Sequence, residues 1–319
     1  MVYRKLIKFG NSSLVVSLPS KWIKRHDLEK GDTIQIEENE NEIILSPELS
    51  SNNEKPSEIT ISANEKILTL YDLIIAAYIN NYNTIIITGE KLKEKSKEIR
   101  SIIHGLVGME ILEQTSTKII AKDFLDVKDV SIKSIIRRID NITRSMVLDT
   151  EICIEKGIDN QKHVADRDHD VNRLTILVYK LVFKAMQRPQ MAKIFDMTYI
   201  ELLYMYHVAE KIEHIADQVK RICKYCTILE KKYNKKELLN LFKLISNQYF
   251  TAMKALYSQD YKIADEVLSR KKNLMNVCEA FLIDNKNIFI TKIVEKMINM
   301  NTFACYIARS VLHSHPSKA

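Results

Sequence analysis

A shortage of helix-breaking and turn-forming residues is the strongest constraint on how this chain folds. It contains 6 glycines and 5 prolines among 319 residues, whereas the two types together make up roughly 12% of an average protein. A chain with few turn residues has few connections between its elements, so each element is long. We therefore expect a mainly α-helical protein built from long helices.

Length and composition narrow the class of protein further. Hydrophobic residues make up 46% and charged residues 28% of the chain, which excludes intrinsic disorder and collagen-like repeats. At roughly 100 to 200 residues per domain, the length predicts two or three domains. No run approaches the roughly 18 apolar residues of a membrane span, and residues 1–8 lack the apolar stretch of a secretory signal. We expect a cytoplasmic protein.

The second half of the chain has the pattern of consecutive helices. Breaks in the pattern fall near residues 157–160, 188–189, 233–234, 258–259 and 284–285. They delimit six helices that group as two sets of three, over residues 131–232 and 235–319, with the last helix ending near residue 314. A tandem duplication of a three-helix unit is the simplest account of this rhythm.

The first 48 residues have a different, β-type pattern. Strands are predicted over residues 2–9, 14–18, 33–37 and 43–45, with turns at 10–13, 28–32 and 39–41 and a short helix over 20–26 that Ser20 can cap. Fewer than about 50 residues bury too little apolar surface to be stable alone. This unit therefore needs a second copy, a metal or a neighbouring domain.

A polar linker and a small mixed domain follow. Residues 49–56 (LSSNNEKP) have linker composition. Residues 57–127 predict strands at 58–62, 84–88, 109–115 and 118–122, with helices at 70–81 and 91–106. We expect a small α/β domain there.

Charge is distributed unevenly along the N-terminal unit. The whole chain carries +7, but residues 1–26 contain no acid at all, while residues 27–48 contain eight acids and one lysine. The six basic residues of the first segment are Arg4, Lys5, Lys8, Lys21, Lys24 and Arg25. They predict a basic face suited to an anionic partner, and an ordinary solvated surface is the alternative.

Two pairs of oxygen-bearing side chains stand four residues apart on neighbouring helices of the first set. Asp168 and Asn172 form one pair, and Glu213 and Asp217 form the other. Because the turn between these helices lies near Pro189, both pairs fall at a similar height in an antiparallel hairpin. Such oxygen ligands suit iron, manganese, magnesium or carboxylate-bound zinc. The alternative is an ordinary solvated helix face.

Signatures of enzymes are otherwise absent. The sequence contains no phosphate-binding GxxxxGK[ST], no GxGxxG, no HExxH and no GxSxG motif, and no histidine forms a recognisable catalytic pair. The five cysteines are odd in number, which suits a reducing compartment. Cys223 and Cys226 form one CxxC without a second pair, which favours buried helix cysteines over a metal knuckle. We expect a protein that is not an enzyme.

The N-terminal unit resembles the AbrB/SpoVT swapped-hairpin domain. The resemblance rests on the segments LIKFGNSS (6–13), VVSLP (15–19), LEKGD (28–32) and IIL (43–45). It implies a DNA-binding unit in which two chains interlock their hairpins into one small barrel, with the basic side chains facing DNA. The residues expected at the DNA are Arg4, Lys5, Lys8, Asn11, Lys21, Lys24 and Arg25.

The helical region resembles the PhoU family. The resemblance rests on RDHDVN (167–172), QRP (187–189) and EHIAD (213–217), and together with the duplicated rhythm it covers about residues 131–314. It implies a phosphate-homeostasis regulator that binds metal clusters through ExxxD-type motifs and acts by protein contact. The metal ligands carried over are Asp168, Asn172, Glu213 and Asp217, although many members have Asp in place of Asn172.

The second helical set departs further from that family pattern. Its equivalent positions are Arg270 and Leu274 on one helix and Cys305 and Arg309 on the other. We therefore expect metal in the first set only. Residues 57–127 are similar to a segment found in archaeal fusions of these two modules, which implies no further chemistry.

The combined expectation is a dimeric transcriptional regulator of phosphate uptake, with an N-terminal DNA-binding module and a helical sensor. One alternative is an adaptor that acts on a phosphate transporter ATPase or a sensor kinase by protein contact and uses the N-terminal barrel only to dimerise. A second alternative is a carboxylate-bridged metalloenzyme, against which the lack of a third carboxylate-bearing helix or a Glu-x-x-His pair argues.

Overall fold

The computed structural model divides the chain into two compact units, Met1–Lys55 and Pro56–Ala319. It describes residues 3–10, 13–38, 43–47, 57–187, 189–229 and 234–314. Several features predicted from the sequence lie outside these residues: Asn11, the turn at 39–41 and the linker at 49–56. We call the two compact units the N-terminal unit and the C-terminal unit.

The N-terminal unit consists of two hairpins and one short helix. The elements are β1 (Ile7–Phe9), β2 (Ser13–Val15), α1 (Ser20–Arg25), β3 (Ile34–Glu38) and β4 (Ile43–Pro47). Strands β1 and β2 pair with each other, as do β3 and β4, and both pairings are antiparallel. Across its described strands the single chain therefore makes two separate two-stranded sheets and no closed barrel. The resemblance to the AbrB/SpoVT domain implies that the barrel closes only when a second chain adds its hairpins.

One detail of the short helix differs from the prediction. Ser20 was expected to cap α1, but it is the first helical residue and Pro19 stands at the cap without a side-chain hydrogen bond. The Pro19 carbonyl accepts from the backbone N–H groups of Trp22 and Ile23, at 2.9 and 3.1 Å. Proline suits this place because its fixed φ and missing N–H fit the start of a helix.

The N-terminal unit has no core of its own. None of its residues whose burial is described is buried. Large apolar side chains are instead open to solvent, with exposed fractions between 63% and 71%: Leu6, Phe9, Leu14, Ile36 and Ile43. Exposed apolar surface on this scale marks a face that another chain or domain covers.

The C-terminal unit begins with a small α/β layer. It contains β5 (Glu58–Ser62), α2 (Ile67–Ile79), β6 (Thr84–Thr88), α3 (Leu92–His104), β7 (Met109–Gln114) and β8 (Lys118–Asp123). The sheet order is β5-β6-β8-β7, with β5 and β6 parallel and the other pairs antiparallel. Helix α2 provides the crossover that a parallel pair requires. Leu70, Ile85 and Ile99 are among the fully buried residues of its core, so the predicted α/β domain is present.

Six long helices and one short helix form the remainder of the described C-terminal unit. They are α4 (Ile132–Lys156), α5 (Gln161–Gln187), the short α6 (Pro189–Ile194), α7 (Tyr199–Ile228), α8 (Lys235–Ser258), α9 (Tyr261–Asp284) and α10 (Ile288–Ser314). The first helical set is α4, α5 and α7, and the second helical set is α8, α9 and α10. The mainly α fold expected from the sequence is confirmed.

Local sequence explains where these helices begin and end. Ser131, Thr198, Asn234 and Asp260 each accept a backbone N–H at a helix start, and Thr198 forms a reciprocal capping box with Glu201. Gly157 ends α4 with φ 69°, a left-handed conformation that glycine adopts without strain.

The two helical sets share one hydrophobic core. Helix α10 packs along α7, and α4 packs against α8. The buried residues of all six long helices form a single cluster, which includes Ile139, Val178, Ile212, Phe242, Val267 and Met297. The two sets therefore form one packed body. No described helix is both long and apolar enough to cross a membrane.

Helix α5 also anchors the α/β layer. Lys180 of α5 is fully buried, and its Nζ lies 2.9 Å from Asp123 Oδ2 and 3.2 Å from the backbone oxygen of Tyr78. The same ammonium group lies 4.1 Å from the centre of the Tyr78 ring. Burial lowers the pKa of Lys180, an effect that Asp123 opposes. The two layers are thus joined through a desolvated charge pair.

Candidate functional site

The predicted carboxylates of α5 and α7 come together around a lysine. Lys220 Nζ donates to Asp168 Oδ2 at 2.6 Å and lies 3.0 Å from Asp217 Oδ1. Arg221 Nε donates to the other Asp217 oxygen at 2.7 Å. Asp168 is 5% exposed, whereas the Lys220 side chain is 32% exposed, so this ion pair bridges the two helices at the edge of the core. We call Asp168, Glu213, Asp217 and Lys220 the carboxylate cluster.

Glu213 belongs to the same electrostatic environment. Burial, together with the nearby Asp217 and Asp168 carboxylates, raises the pKa of Glu213 to about 7, although Lys220 opposes the shift. Burial opposes ionisation of Asp217 as well, but the hydrogen bonds from Lys220 and Arg221 prevail and lower its pKa. Glu213 faces His214, whose Nε2 lies 3.7 Å from Glu213 Oε2, and burial lowers the pKa of this histidine. No lysine or arginine within the described residues forms an ion pair with Glu213.

Within the described part of the chain, three buried side-chain oxygens of α5 have no hydrogen-bond partner: Thr175 Oγ1, Asp168 Oδ1 and Asn172 Oδ1. The last two stand one turn apart on the same helix. A buried acceptor without a donor is costly, and a cation or an ordered water is the usual remedy. These two oxygens match in kind the hard ligands that the sequence predicts.

The fit of a metal ion to this cluster depends on Lys220. Among the residues that the structure describes, no group of three or more His, Cys, Asp and Glu side chains is arranged to hold a metal. Lys220 lies between two of the expected ligands and supplies the positive charge that they require. The oxygen donors therefore suit a hard cation, and binding one requires the ammonium group to move aside.

Two tyrosines on different helices lie within electrostatic range of Glu213. Burial raises the pKa of Tyr179 on α5, and the Glu210 and Glu213 charges add to this effect. Burial likewise raises the pKa of Tyr71 on α2, with smaller effects from Asp72 and Glu213. The charge of Glu213 is thus felt by Tyr71 of the α/β layer. The sequence prediction missed Lys220 and both tyrosines.

The second helical set has different chemistry at the equivalent positions. Arg270 is exposed and forms an ion pair with Glu266 on its own helix. Leu274 and Cys305 are buried, and Arg309 lies 5.5 Å from the Tyr306 ring centre. Two buried side chains and two arginines therefore stand at the positions that correspond to the oxygen-bearing side chains of the first set.

The predicted DNA-binding residues lie on the surface of the N-terminal unit. Lys8 is on β1, and Lys21, Lys24 and Arg25 share one face of α1 at spacings of three and four residues. Arg4 and Lys5 precede β1. All six are exposed. None of them forms an ion pair with another residue in the described part of the chain.

The cysteines are buried helix residues, as the sequence favoured. All five are free and buried. Cys153 Sγ lies 3.9 Å from the backbone oxygen of Cys223, across the contact between α4 and α7. Burial raises the pKa of Cys226, which makes this thiol a poor nucleophile.

Comparison with known families agrees with this division of the chain. Residues 7–52 match the family described as antidote-toxin recognition MazE, bacterial antitoxin. Residues 136–226, which contain the whole carboxylate cluster, match the PhoU domain. No curated protein matches the chain. The chain is therefore a fusion of a MazE/AbrB-type domain at its N-terminus with a PhoU domain in its helical region.

Proposed function

We propose that this protein is a DNA-binding regulator of phosphate uptake that acts as a dimer and is not an enzyme. The combination of an AbrB-like domain with a PhoU domain suggests a phosphate-related regulator. The observation that carries the finer proposal is the surface of the N-terminal unit, where exposed apolar side chains occur together with cations that form no ion pair with any residue in its described part.

The apolar side chains support the dimer. Phe9 and Leu14, exposed by 71% and 63%, stand on or beside the paired strands β1 and β2. A unit of roughly 50 residues without buried side chains does not hold its fold by itself. A second copy that interlocks its hairpins with the first supplies the missing core. Identical partners also give a symmetric unit, which suits a palindromic DNA site.

The cations support DNA as the partner. Each chain presents six exposed basic side chains, and the short helix α1 carries three of them on one face. An exposed cation without an acidic partner is free to neutralise a phosphate. Two copies double this number and place the charges on one assembly.

The PhoU domain is proposed to sense the effector and to contact partners. If it binds a divalent or trivalent cation, such as iron, zinc, manganese or magnesium, Asp168, Asn172, Glu213 and Asp217 would hold it. A bound cation supplies charge that neutralises the three carboxylates. Lys220 supplies one such charge from within the chain, so metal and lysine are competitors for the same oxygens.

A second candidate function is an adaptor that acts by protein contact on a transporter ATPase or a sensor kinase. An apolar patch at the end of the α5–α7 hairpin favours it. Met186, Ile194, Tyr199, Ile200 and Leu203 are all exposed there, with exposed fractions from 41% to 64%. Exposed apolar side chains grouped in this way mark protein contacts.

Measured DNA affinity separates the two candidates. In the test, Lys21, Lys24 and Arg25 are changed together to Gln in the full-length protein, and genome-wide footprinting supplies the DNA target. The control changes Lys93, Lys97 and Lys236 to Gln, which are exposed in the C-terminal unit and alter the net charge equally. DNA binding is expected to be lost in the first variant and kept in the control.

The salt dependence adds a quantitative criterion. Each phosphate neutralised on B-DNA contributes roughly 0.9 to the slope of log affinity against log salt concentration, so a dimer with about three contacts per chain gives a slope of about five to six. Equal binding by the triple variant and the wild type, with the same slope, would favour the adaptor.

A further inference from the structure

A groove with cationic walls lies between α4, α8 and α9, where the first helical set meets the second. Its volume is about 790 Å³, and its lining includes Arg144 of α4, Asn247 and Lys254 of α8, and Arg270 of α9. None of these residues belongs to the carboxylate cluster. We call this feature the cationic groove.

The buried carboxylate of Asp140 holds the Arg144 side chain in place. Arg144 Nε lies 2.9 and 3.0 Å from the two oxygens of Asp140, which is 2% exposed. Tyr249 and Tyr257 donate their hydroxyl protons to the same carboxylate at 2.6 and 2.9 Å. Four hydrogen bonds thus fix Asp140, and Asp140 fixes the guanidinium group.

Arg144 lines the groove, and its side chain is 33% exposed. Arg144 donates to Asp140 through Nε alone. The N–H groups of its two terminal nitrogens are not used by Asp140 and can donate to a ligand. The Arg144 guanidinium carbon lies 4.6 Å from the centre of the Phe250 ring, which also lines the groove. A charged donor that is already oriented loses little conformational entropy when it binds a ligand.

Other residues that line the groove add positive charge and hydrogen-bond donors. Lys254 is exposed and forms no ion pair with any residue in the described part of the chain. The Asn247 side-chain amide stands about two turns before it on α8 and has N–H donors to offer. Arg270 contributes a third cation, partly offset by Glu266. Three cations against Glu266 and the buried Asp140 leave an excess of one positive charge.

We propose that the cationic groove binds a small oxyanion of the phosphate class, with Arg144 as its anchor and Lys254 and Arg270 as flanking cations. A cationic ligand is repelled by this lining, and an apolar one leaves the charged groups without partners. The planar guanidinium fork matches the geometry of phosphate oxygens.

The comparison between the helical sets agrees with this assignment. Arg270 stands where the first set carries the ligand Asp168, according to the equivalence drawn from the duplicated sequence. Replacing a carboxylate by a cation changes the charge that a site attracts. With the metal site proposed for the first set, the two sets have opposite preferences, one for cations and one for anions.

Calorimetric titration of the full-length protein tests the proposal. The probes are sodium phosphate and pyrophosphate at constant ionic strength, with chloride as the reference anion. Saturable binding of an oxyanion is expected, and Lys254→Gln should weaken it about fivefold, the effect of one exposed charged contact. Lys254→Glu should abolish it. Because Lys254 is exposed, neither change disturbs the core.

Lys262→Gln on α9 is the matched control, because Lys262 is exposed and lies outside the groove. It should leave the affinity unchanged. Equal weakening by Lys254→Gln and Lys262→Gln would place the anion elsewhere and overturn the proposal. The proposal would fall equally if neither oxyanion bound at concentrations up to roughly 10 mM, above the range of weak specific binding.

Discussion

Lys180 and Asp123 form a buried ion pair that joins helix α5 to the last strand of the α/β layer, with 2.9 Å between Nζ and Oδ2. Lys180 is fully buried, and Asp123 is 11% exposed. Removing one partner of such a pair leaves a desolvated charge without compensation. The pair therefore holds the two layers together only while both members are present.

The first prediction concerns this pair. Lys180→Met should lower the free energy of unfolding by about 3 to 5 kcal/mol because Asp123 then remains buried and unpaired. The double variant Lys180→Met, Asp123→Leu should recover much of that loss, since no isolated charge is left. Urea unfolding measures both. Lys162→Met, at an exposed position of the same helix, is the control, and an equal loss in the control would contradict the prediction.

The second prediction concerns the pH dependence of stability. The folded state raises the pKa of Glu213 from 4.5 to about 7, so it binds more protons than the unfolded chain between these values. Stability from the neutral carboxyl group is therefore lost as the pH rises from about 4.5 to about 7. After allowance for its partial exposure, Glu213→Gln should stabilise the protein by about 1 to 2 kcal/mol at pH 8 and little at pH 4.

Unfolding in urea at pH 4 and pH 8 provides the measurement. Glu210→Gln, one turn away, is the control with the opposite sign. Burial opposes ionisation of Glu210, but contacts with Lys211 and the nearby histidines lower its pKa. This control should lose stability at pH 8. Stabilisation of similar size in both variants would show that the effect comes from removing any negative charge.

The third prediction concerns competition between Lys220 and a metal ion. Lys220→Gln should raise the affinity for Mn²⁺ or Zn²⁺ at least about tenfold, because an ammonium group no longer occupies the carboxylates. Titration of chelator-treated protein measures the affinity. Lys224→Gln, exposed one turn further along α7, is the control and should not change it.

A separate variant tests which side chains bind the metal ion. In the Lys220→Gln background, further change of Glu213 and Asp217 to Ala should remove the gain in affinity. Elemental analysis of protein purified without chelator gives the stoichiometry. Metal retained at wild-type stoichiometry after loss of both carboxylates would disprove the ligand assignment.

The fourth prediction concerns oligomeric state. Sedimentation at micromolar concentration should give at least twice the chain mass of 37.1 kDa. Phe9→Asp should reduce the mass to that of one chain, because a charge at this apolar position opposes burial against a second copy. Ile283→Asp is the control, since Ile283 is equally exposed, at 71%, but lies in the C-terminal unit. A monomeric wild type would exclude the interlocked barrel.

The positions of the helices and strands could be predicted because they depend on local sequence. Strand periodicity, polar caps and the few breaks located the four strands of the α/β layer and the six long helices to within a few residues. The short helix after Pro189 and the cap at Pro19 were missed. In both cases proline acts as a helix starter, while the prediction used it only as a marker of a break or a strand end.

The contacts of the site were harder to predict. Lys220 stands three residues after Asp217 and seven after Glu213 on one helix face, so the sequence contained a signal for it. Its bond to Asp168 depends on the register between α5 and α7, which no spacing within one helix reveals. Asp140 and Tyr249 are 109 residues apart, and only the packing of α4 on α8 brings them together.

The core shared by the two helical sets has a consequence for how this protein unfolds. A module that keeps its own core can open while its neighbour stays folded. Here α10 lies along α7, so opening either set would leave a broad apolar face of the other in water. The six long helices are therefore expected to unfold as one cooperative unit.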